Sequence, residues 1–191
     1  MKIQFFILVF SIFIFTFSFS QEPIAEPLTF SEVVKVDTSV SAKELYSRAR
    51  TWFAETYRSA QDVIQMEDKE EGKIVAKGAI KYNSNVFVGS LGTKGWIRYT
   101  LTIIVKDGRY KFDMTNFIHE GNPLNDSGAI SFELITTSET CPANIYPKST
   151  KGWKNKVWKD IKENIYTNES ALIASLKAAM NKPSKDDKDG W

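Results

Sequence analysis

The chain has 191 residues, with 25 lysines and arginines against 23 aspartates and glutamates, and its formal net charge is +2. A balance this close to neutral excludes the strongly basic footprint that is typical of nucleic-acid-binding proteins. His119 is the only histidine and Cys141 the only cysteine, which excludes zinc ligation by a histidine and cysteine set and an internal disulfide. We therefore expect no metal, no cofactor and no nucleic-acid partner.

Residues 1–20 are typical of a secretory signal peptide. Lys2 precedes an apolar run from Phe5 to Phe19, and the small residues Ser18 and Ser20 stand before a cleavage point at Gln21. The alternative is an uncleaved anchor, but a bilayer requires roughly 20 apolar residues and this run is shorter. We expect an exported protein, periplasmic or extracellular, without a transmembrane span after cleavage.

The rest of the chain has the length of a single domain. Residues 21–28 form a proline-containing lead, 29–181 the domain, and 182–191 a charged tail that we expect to be disordered. The domain begins with "FSEVVKVD", a strand, and continues into a helix that either Ser39 or Ser41 opens. Ser41 and Glu44 have capping-box spacing. The apolar face of this helix has helical periodicity and comprises Leu45, Ala49, Trp52, Phe53 and Thr56.

Two hairpins follow the helix. In the first, Gly72 ends a three-residue loop that pairs Lys69 with Lys73 and turns Ile64 and Met66 toward the core. In the second, a two-residue turn at Asp107-Gly108 pairs Lys106 with Arg109. Odd positions are then apolar on the first strand and even positions on the second, and both patterns agree on one register. The inward residues are Ile97, Tyr99, Leu101, Ile103 and Val105, opposite Tyr110, Phe112, Met114 and Ile118.

The second half of the chain contains less regular sequence and a long helix. Residues 121–150 are an insertion or covering segment in which we expect Cys141 to be a small buried residue; a thiol that pairs between chains is the alternative. Residues 151–181 are helical, with a possible break at Thr167-Asn168. The apolar stripe of this helix comprises Trp153, Val157, Ile161, Ile165, Leu172, Leu176 and Met180.

Three stretches together resemble a known family. They are "FSEVVKVD", "KELYSRARTWFAETYRSAQDVIQMEDKEEGKIVAKG" and "YTLTIIVKDGRYKF", and they are similar to an exported bacterial domain of unknown function with a TATA-binding-protein-like (TBP-like) fold. The resemblance covers roughly residues 29–120. It implies an α+β fold whose elements follow the order strand, helix, four-strand meander and helix. The strands form a curved antiparallel sheet, and the helices pack on one face of it. It implies no activity and no site residue.

The hairpin register predicts a candidate binding face on the side of the sheet away from the core. There Trp96 lies across from His119, and Arg98 lies across from Phe117. Aromatic and cationic side chains on a sheet can hold a partner because large rigid groups bind at low entropic cost. The alternatives are cross-strand pairs without a binding role, or a face covered by residues 121–150.

No short motif for catalysis occurs in the sequence, so we expect no catalytic residues. Nucleophile elbows and phosphate loops are absent, although distant residues could still assemble a serine, His119 and an acid. We interpret the chain as a non-catalytic binding module of the cell envelope whose partner is a protein, peptide or glycan. The alternative is an envelope hydrolase-like enzyme.

Overall fold

The computed structural model describes residues 25–86, 90–122 and 128–182. The predicted signal peptide at 1–20 and the first half of the lead at 21–28 lie outside these ranges. All but the first residue of the predicted tail at 182–191 lies outside them as well.

The described residues form a six-stranded antiparallel sheet and three α-helices, which confirms the predicted α+β architecture. The elements are β1 (Phe30–Lys35), α1 (Ala42–Thr56), α2 (Ala60–Val63), β2 (Ile64–Asp68), β3 (Lys73–Tyr82), a 3-10 turn (Leu91–Thr93), β4 (Gly95–Lys106), β5 (Arg109–Gly121), β6 (Glu133–Leu134) and α3 (Lys151–Met180). The strand order is β1-β5-β4-β3-β2, and β6 pairs with β5 on the side where β1 also lies.

Helix α1 begins at the residue that the capping pattern predicts. The Ser41 side chain accepts a hydrogen bond from the Glu44 backbone N–H at 3.2 Å, and so satisfies one of the free donors of the first turn. The predicted apolar face is buried except for Thr56, which is exposed. Its buried members pack between the sheet and α3: Leu45, Ala49, Trp52 and Phe53.

The turn between β4 and β5 has the predicted register, and it also holds α1 in place. Lys106 pairs with Arg109, and Gly108 has φ +66°, a conformation that favours glycine. The Asp107 carboxylate accepts from the Ala42 backbone N–H at 2.7 Å, and Gly108 N–H donates to the Val40 carbonyl at 2.9 Å. The hairpin turn therefore caps the start of α1 from outside the helix.

The β2–β3 hairpin differs by one residue from the prediction. Asp68, and not Lys69, pairs with Lys73, and a shift in register separates Ile64 from Met66. The Asp68 carboxylate accepts from the backbone N–H groups of two loop residues at 2.9 Å each, which closes the turn one residue earlier than predicted. As a result Met66 is 42% exposed and faces away from the core.

Helix α3 is continuous from Lys151 to Met180, so the predicted break at Thr167-Asn168 is wrong. Thr167 donates its hydroxyl to the Glu163 carbonyl, and Asn168 donates its amide to the Asn164 carbonyl. These polar side chains bond back onto the preceding turn instead of capping a new helix.

The segment after β5 contributes to the core. Phe132 and Ile135 are fully buried, and Cys141 is buried as predicted. Two buried lysines of α3 fasten the segment: Lys154 donates to the carbonyls of residues 143 and 145, and Lys162 donates to those of residues 137 and 138. The described part of 121–150 therefore packs at the β5 edge and against α3.

Candidate binding face

Strand alternation gives the sheet two faces, and α1 and α3 pack on only one of them. We call the other side the outer face. No outer-face residue is buried, so the described residues leave this surface open to solvent. Register pairs identify its members: Ser31, Val33 and Lys35; Met66 and Asp68; Lys73, Val75, Lys77, Ala79 and Lys81; Trp96, Arg98, Thr100, Thr102, Ile104 and Lys106; Arg109, Lys111, Asp113, Thr115, Ile118 and Glu120; and Leu134.

The predicted binding face is divided between the two sides of the sheet. Trp96 and Arg98 lie on the outer face, whereas Phe117 and His119 are fully buried on the helix side. Trp96 pairs with Glu120, not with His119, and Arg98 does not pair with Phe117. The grouping of four residues predicted from the hairpin is therefore wrong.

A β-bulge at Asn116 causes this difference. Thr100 pairs with Thr115 as predicted, but Arg98 pairs with Ile118, so two residues of β5 oppose one residue of β4. Asn116 has φ +56°, in the left-handed region that asparagine tolerates better than most residues. Every side chain of β5 beyond this point is turned to the opposite face.

Phe117 fills the core beyond the bulge. Its ring makes an edge contact with Phe30 at a centroid distance of 5.6 Å and lies tilted against Tyr99 at 6.0 Å. Ile118, which the alternation placed inside, is instead 38% exposed. Phe117 therefore faces the core and Ile118 faces solvent, which is the reverse of what strict alternation predicts.

His119 is a buried structural residue. Its Nδ1 accepts a hydrogen bond from the Phe132 backbone N–H at 3.1 Å, so the proton of the neutral ring lies on Nε2, which donates to the Thr93 carbonyl at 2.9 Å. Burial lowers the pKa of His119 to about 4 despite the Thr93 hydrogen bond. Both nitrogens bind backbone groups, so neither is free to activate a serine.

One end of the outer face is aromatic and apolar. Trp96 is 45% exposed, and the next row across the sheet places Arg98 beside Ile118 and Ile118 beside Leu134. Arg98 Nε also forms an ion pair with Glu120 at 2.6 Å. The pair is exposed, so it contributes little to stability, but it holds the guanidinium beside the apolar side chains.

The rest of the outer face is strongly cationic. Over the whole outer face, eight lysines and arginines stand against three acidic residues, although the whole chain has a net charge of only +2. Near the β4–β5 turn, Val33 and Ile104 line an open cavity of about 370 Å³ together with Lys106, Arg109 and Lys111. The near-neutral total charge therefore conceals a basic surface.

Sequence reasoning missed Ile118, Glu120 and Leu134, and one signal could have found the first two. The apolar series on β5 runs through Met114 and resumes at Phe117, a spacing of three where strict alternation requires two. The residue between them that can adopt positive φ is Asn116. A phase change together with such an asparagine indicates a bulge.

Within the described ranges, no three histidine, cysteine, aspartate or glutamate side chains are grouped so that they could hold a metal ion. No helix in the same ranges is long and apolar enough to span a membrane.

Comparison with known proteins agrees with this fold. Residues 30–120 match the family described as a domain of unknown function (DUF4468) with TBP-like fold. A TBP-like protein from Parabacteroides distasonis is 17% identical, with a TM-score of 0.58 over 82% of this chain and 95% of its own. A DUF4468 family protein from Bacteroides ovatus is 14% identical, with a TM-score of 0.50 over 83% of this chain and 89% of its own.

A search of curated proteins gave no significant match. At these identities the two structures show the fold alone, and the family match rests on the residues from β1 to the end of β5. The chain therefore contains a DUF4468 domain with the TBP-like fold.

Proposed function

We propose that this protein is an exported, non-catalytic binding module that uses the outer face to hold an acidic protein or peptide of the cell envelope. The observation that carries the proposal is the composition of that face. Five of the eight large hydrophobic residues exposed among the described residues lie on it: Val33, Met66, Trp96, Ile118 and Leu134. Cationic side chains separate these apolar positions, so the surface combines apolar contact area with positive charge.

Several physical arguments support a polypeptide partner. Tryptophan, methionine and arginine are enriched in protein interfaces. Removal of exposed aliphatic groups from water by a partner is favourable and contributes to the free energy of binding. The excess of positive charge favours a partner with carboxylates and speeds its diffusional encounter. A hydrolase-like activity has less support, because the single histidine is neutral, buried and bonded to backbone on both sides.

Affinity capture from envelope extracts of the source organism tests the proposal. Immobilised wild-type protein is compared with the double variant Trp96→Ala/Ile118→Ser, and captured material is quantified by mass spectrometry. Tyr166→Ala is the matched control, because Tyr166 is 44% exposed but lies on α3, away from the outer face. We expect the double variant to lose a partner that the control retains.

The capture is repeated at low and high salt, and a labelled DNA duplex is titrated in parallel. Since the proposed contact is partly electrostatic, higher salt should weaken it. Identical partner profiles for all three folded proteins would contradict the proposal. Binding of the duplex in preference to any acidic protein would contradict both the proposed partner and the expectation that nucleic acid is excluded.

A further inference from the structure

Strand β3 is longer than the strand beside it. β2 pairs with β3 only over Lys73–Ala76, whereas β4 pairs with β3 along its whole length from Lys73 to Tyr82. Residues 77–82 therefore have a hydrogen-bonded neighbour on one side, and no described strand pairs with them on the other. We call this part of the sheet the open edge.

The direction of the backbone groups at the open edge follows from the antiparallel ladder. Val105 N–H donates to the Gly72 carbonyl at 2.9 Å, so the even-numbered residues of β3 bond toward β4. Lys77, Ala79 and Lys81 then direct both their N–H and their C=O away from β4. All three residues are exposed, and no described strand pairs with them on that side. Helix α2 leads directly into β2 and contacts β3, so it lies beside Lys77 at the start of the open edge, and the outward groups of Ala79 and Lys81 lie beyond it.

An exposed row of this kind is a template for an added strand, because each new main-chain hydrogen bond satisfies a donor and an acceptor. The core beneath this edge is tightly packed. The Tyr99 ring lies so close over Gly78 that a Cβ at residue 78 would approach the ring to 2.3 Å. The side chains of an added strand alternate between the outer face, beside Lys77 and Lys81, and the inner side, beside the half-buried Ile80.

We propose that the open edge of β3 binds an extended acidic peptide segment as an additional strand. This inference rests on the proposed function, and it specifies how the partner is held. Main-chain hydrogen bonds attach the segment, and carboxylates at alternate positions pair across the strands with Lys77 and Lys81. Apolar residues at the intervening positions face Ile80. The acidic side chains then continue the outer face beside Ala79, Arg98 and Ile118.

Charge distinguishes this occupant from a second copy of the chain. In an antiparallel pairing of two open edges centred on Ala79, Lys77 of each copy would lie opposite Lys81 of the other. Like charges directly opposite each other destabilise a strand pair. Lysines on an edge strand also discourage neutral strands from adding to it, so the same two residues select an acidic segment and disfavour other occupants.

The test uses a defined probe, an acetylated and amidated eight-residue peptide of alternating glutamate and valine, with the full folded domain. Binding is measured by calorimetry, and hydrogen exchange is followed by NMR. We expect the peptide to slow amide exchange at Ala79 and Lys81, and Ala79→Pro to weaken binding about tenfold. Proline blocks an outward N–H without removing a bond to β4. Ala79→Val, which keeps the N–H, is the matched control and should bind like wild type.

Two further arms keep the result interpretable if Ala79→Pro does not fold. A peptide N-methylated at every second residue should fail to bind wild-type protein, because it lacks the donors that the edge carbonyls require. The double variant Lys77→Glu/Lys81→Glu should lose the glutamate peptide and bind a peptide of alternating lysine and valine. Protection of the edge amides with these losses supports the inference, whereas no binding, or binding without protection at these amides, overturns it.

The envelope capture separates failure of this inference from failure of the proposed function. If Trp96→Ala/Ile118→Ser abolishes capture and Ala79→Pro or Lys77→Glu/Lys81→Glu leaves it unchanged, the edge inference is wrong and the outer-face proposal stands. If none of these variants alters capture, both are wrong.

Discussion

The two ends of the β4–β5 hairpin belong to the same pair of strands but present their side chains differently. Near the turn, each residue of β5 faces one residue of β4, and the even-numbered side chains of β5 enter the core. At the bulge, Asn116 and Phe117 together face Tyr99. Beyond it the pairing is again one to one, but the odd-numbered side chains of β5 enter the core. The positive φ of Asn116 thus decides which side chains at the far end of β5 face solvent, where a partner can contact them.

The different surroundings of the two ends explain why both arrangements are stable. The turn end is held by β1 and by the cap that Asp107 provides to α1. The far end is held by β6 and by His119, which joins the 3-10 turn to the segment after β5. The bulge lets the far end bury Phe117 and His119 while it exposes Ile118 to the outer face.

The largest expected effect in this comparison comes from two substitutions at neighbouring residues. Phe117→Ala should lower the free energy of unfolding by about 3–5 kcal/mol, because it empties a fully buried ring position. Ile118→Ala should cost less than about 1 kcal/mol, because its side chain is partly exposed. Urea denaturation measures both. Strict alternation predicts the reverse order, so a larger loss for Ile118 than for Phe117 would contradict the bulge.

The pH dependence of stability tests the far end next. The folded pKa of His119 is lowered from 6.5 to about 4, so the unfolded chain takes up the proton first as the pH falls. The resulting stabilisation should be complete above pH 6.5 and should decline by about 3 kcal/mol between pH 6.5 and 4.

NMR titration of the single histidine gives the folded pKa directly, and urea denaturation across the same pH range gives the linked change in stability. The pKa of Asp37 is lowered from 3.8 by hydrogen bonds from the Ser39 backbone and side chain. Desolvation raises the pKa of Asp113, but Ser31 and Lys111 together lower it below 3.8. Both carboxylates therefore lose their contribution only as the pH falls below that value. A folded His119 pKa near 6.5, with unfolding independent of pH in this range, would show that the ring is solvated.

The bulge itself should respond to the residue at its centre. Asn116→Val should cost about 1–2 kcal/mol, because a β-branched side chain is strained at φ +56°. Asn116→Gly is the matched control and should be neutral or slightly stabilising, since glycine adopts this conformation freely. Thermal unfolding monitored by circular dichroism distinguishes them. Equal stability of the two variants would mean that residue 116 does not require a left-handed backbone.

The smallest expected effect lies at the turn end. Asp107→Ala should lower stability by about 1 kcal/mol, because the Ala42 N–H at the start of α1 loses its acceptor. Lys106→Ala removes an exposed charge from the same turn and should change stability by less than about 0.5 kcal/mol. Urea denaturation compares the two. If they are equivalent, the turn sets the register of the hairpin without supporting the helix.

The limits of prediction from sequence appear clearly within single elements. Capping and periodicity locate α1 to the residue, because Ser41 acts on its own first turn and the apolar spacing is local. The Asp107 cap on the same helix could not be predicted, because it joins residues that are 65 positions apart. In α3, the side chains of Thr167 and Asn168 can either cap a new helix or donate hydrogen bonds to carbonyls of the preceding turn. Packing of the apolar stripe of α3 against the core selects the continuous helix.

The candidate site shows the same division. Trp96 and Arg98 were predicted correctly as outward residues, because β4 alternates without interruption. Phe117 and His119 were not, because their orientation depends on one backbone conformation between them and the turn. Glu120 and Leu134 joined the surface only through the pairing of β4, β5 and β6, and the open edge is visible only because β2 stops pairing at Ala76.

By itself, the sequence determined the α+β class, the main helices, the register at the β4–β5 turn and the family of residues 30–120. These depend on local periodicity, capping and turn chemistry. Tertiary structure alone decided which side chains beyond Asn116 face solvent, where the basic residues gather, and which strand keeps a free edge. The physical reason is that sheet faces and edges are made by pairing between distant segments, and a single inserted residue reverses a face without altering the composition.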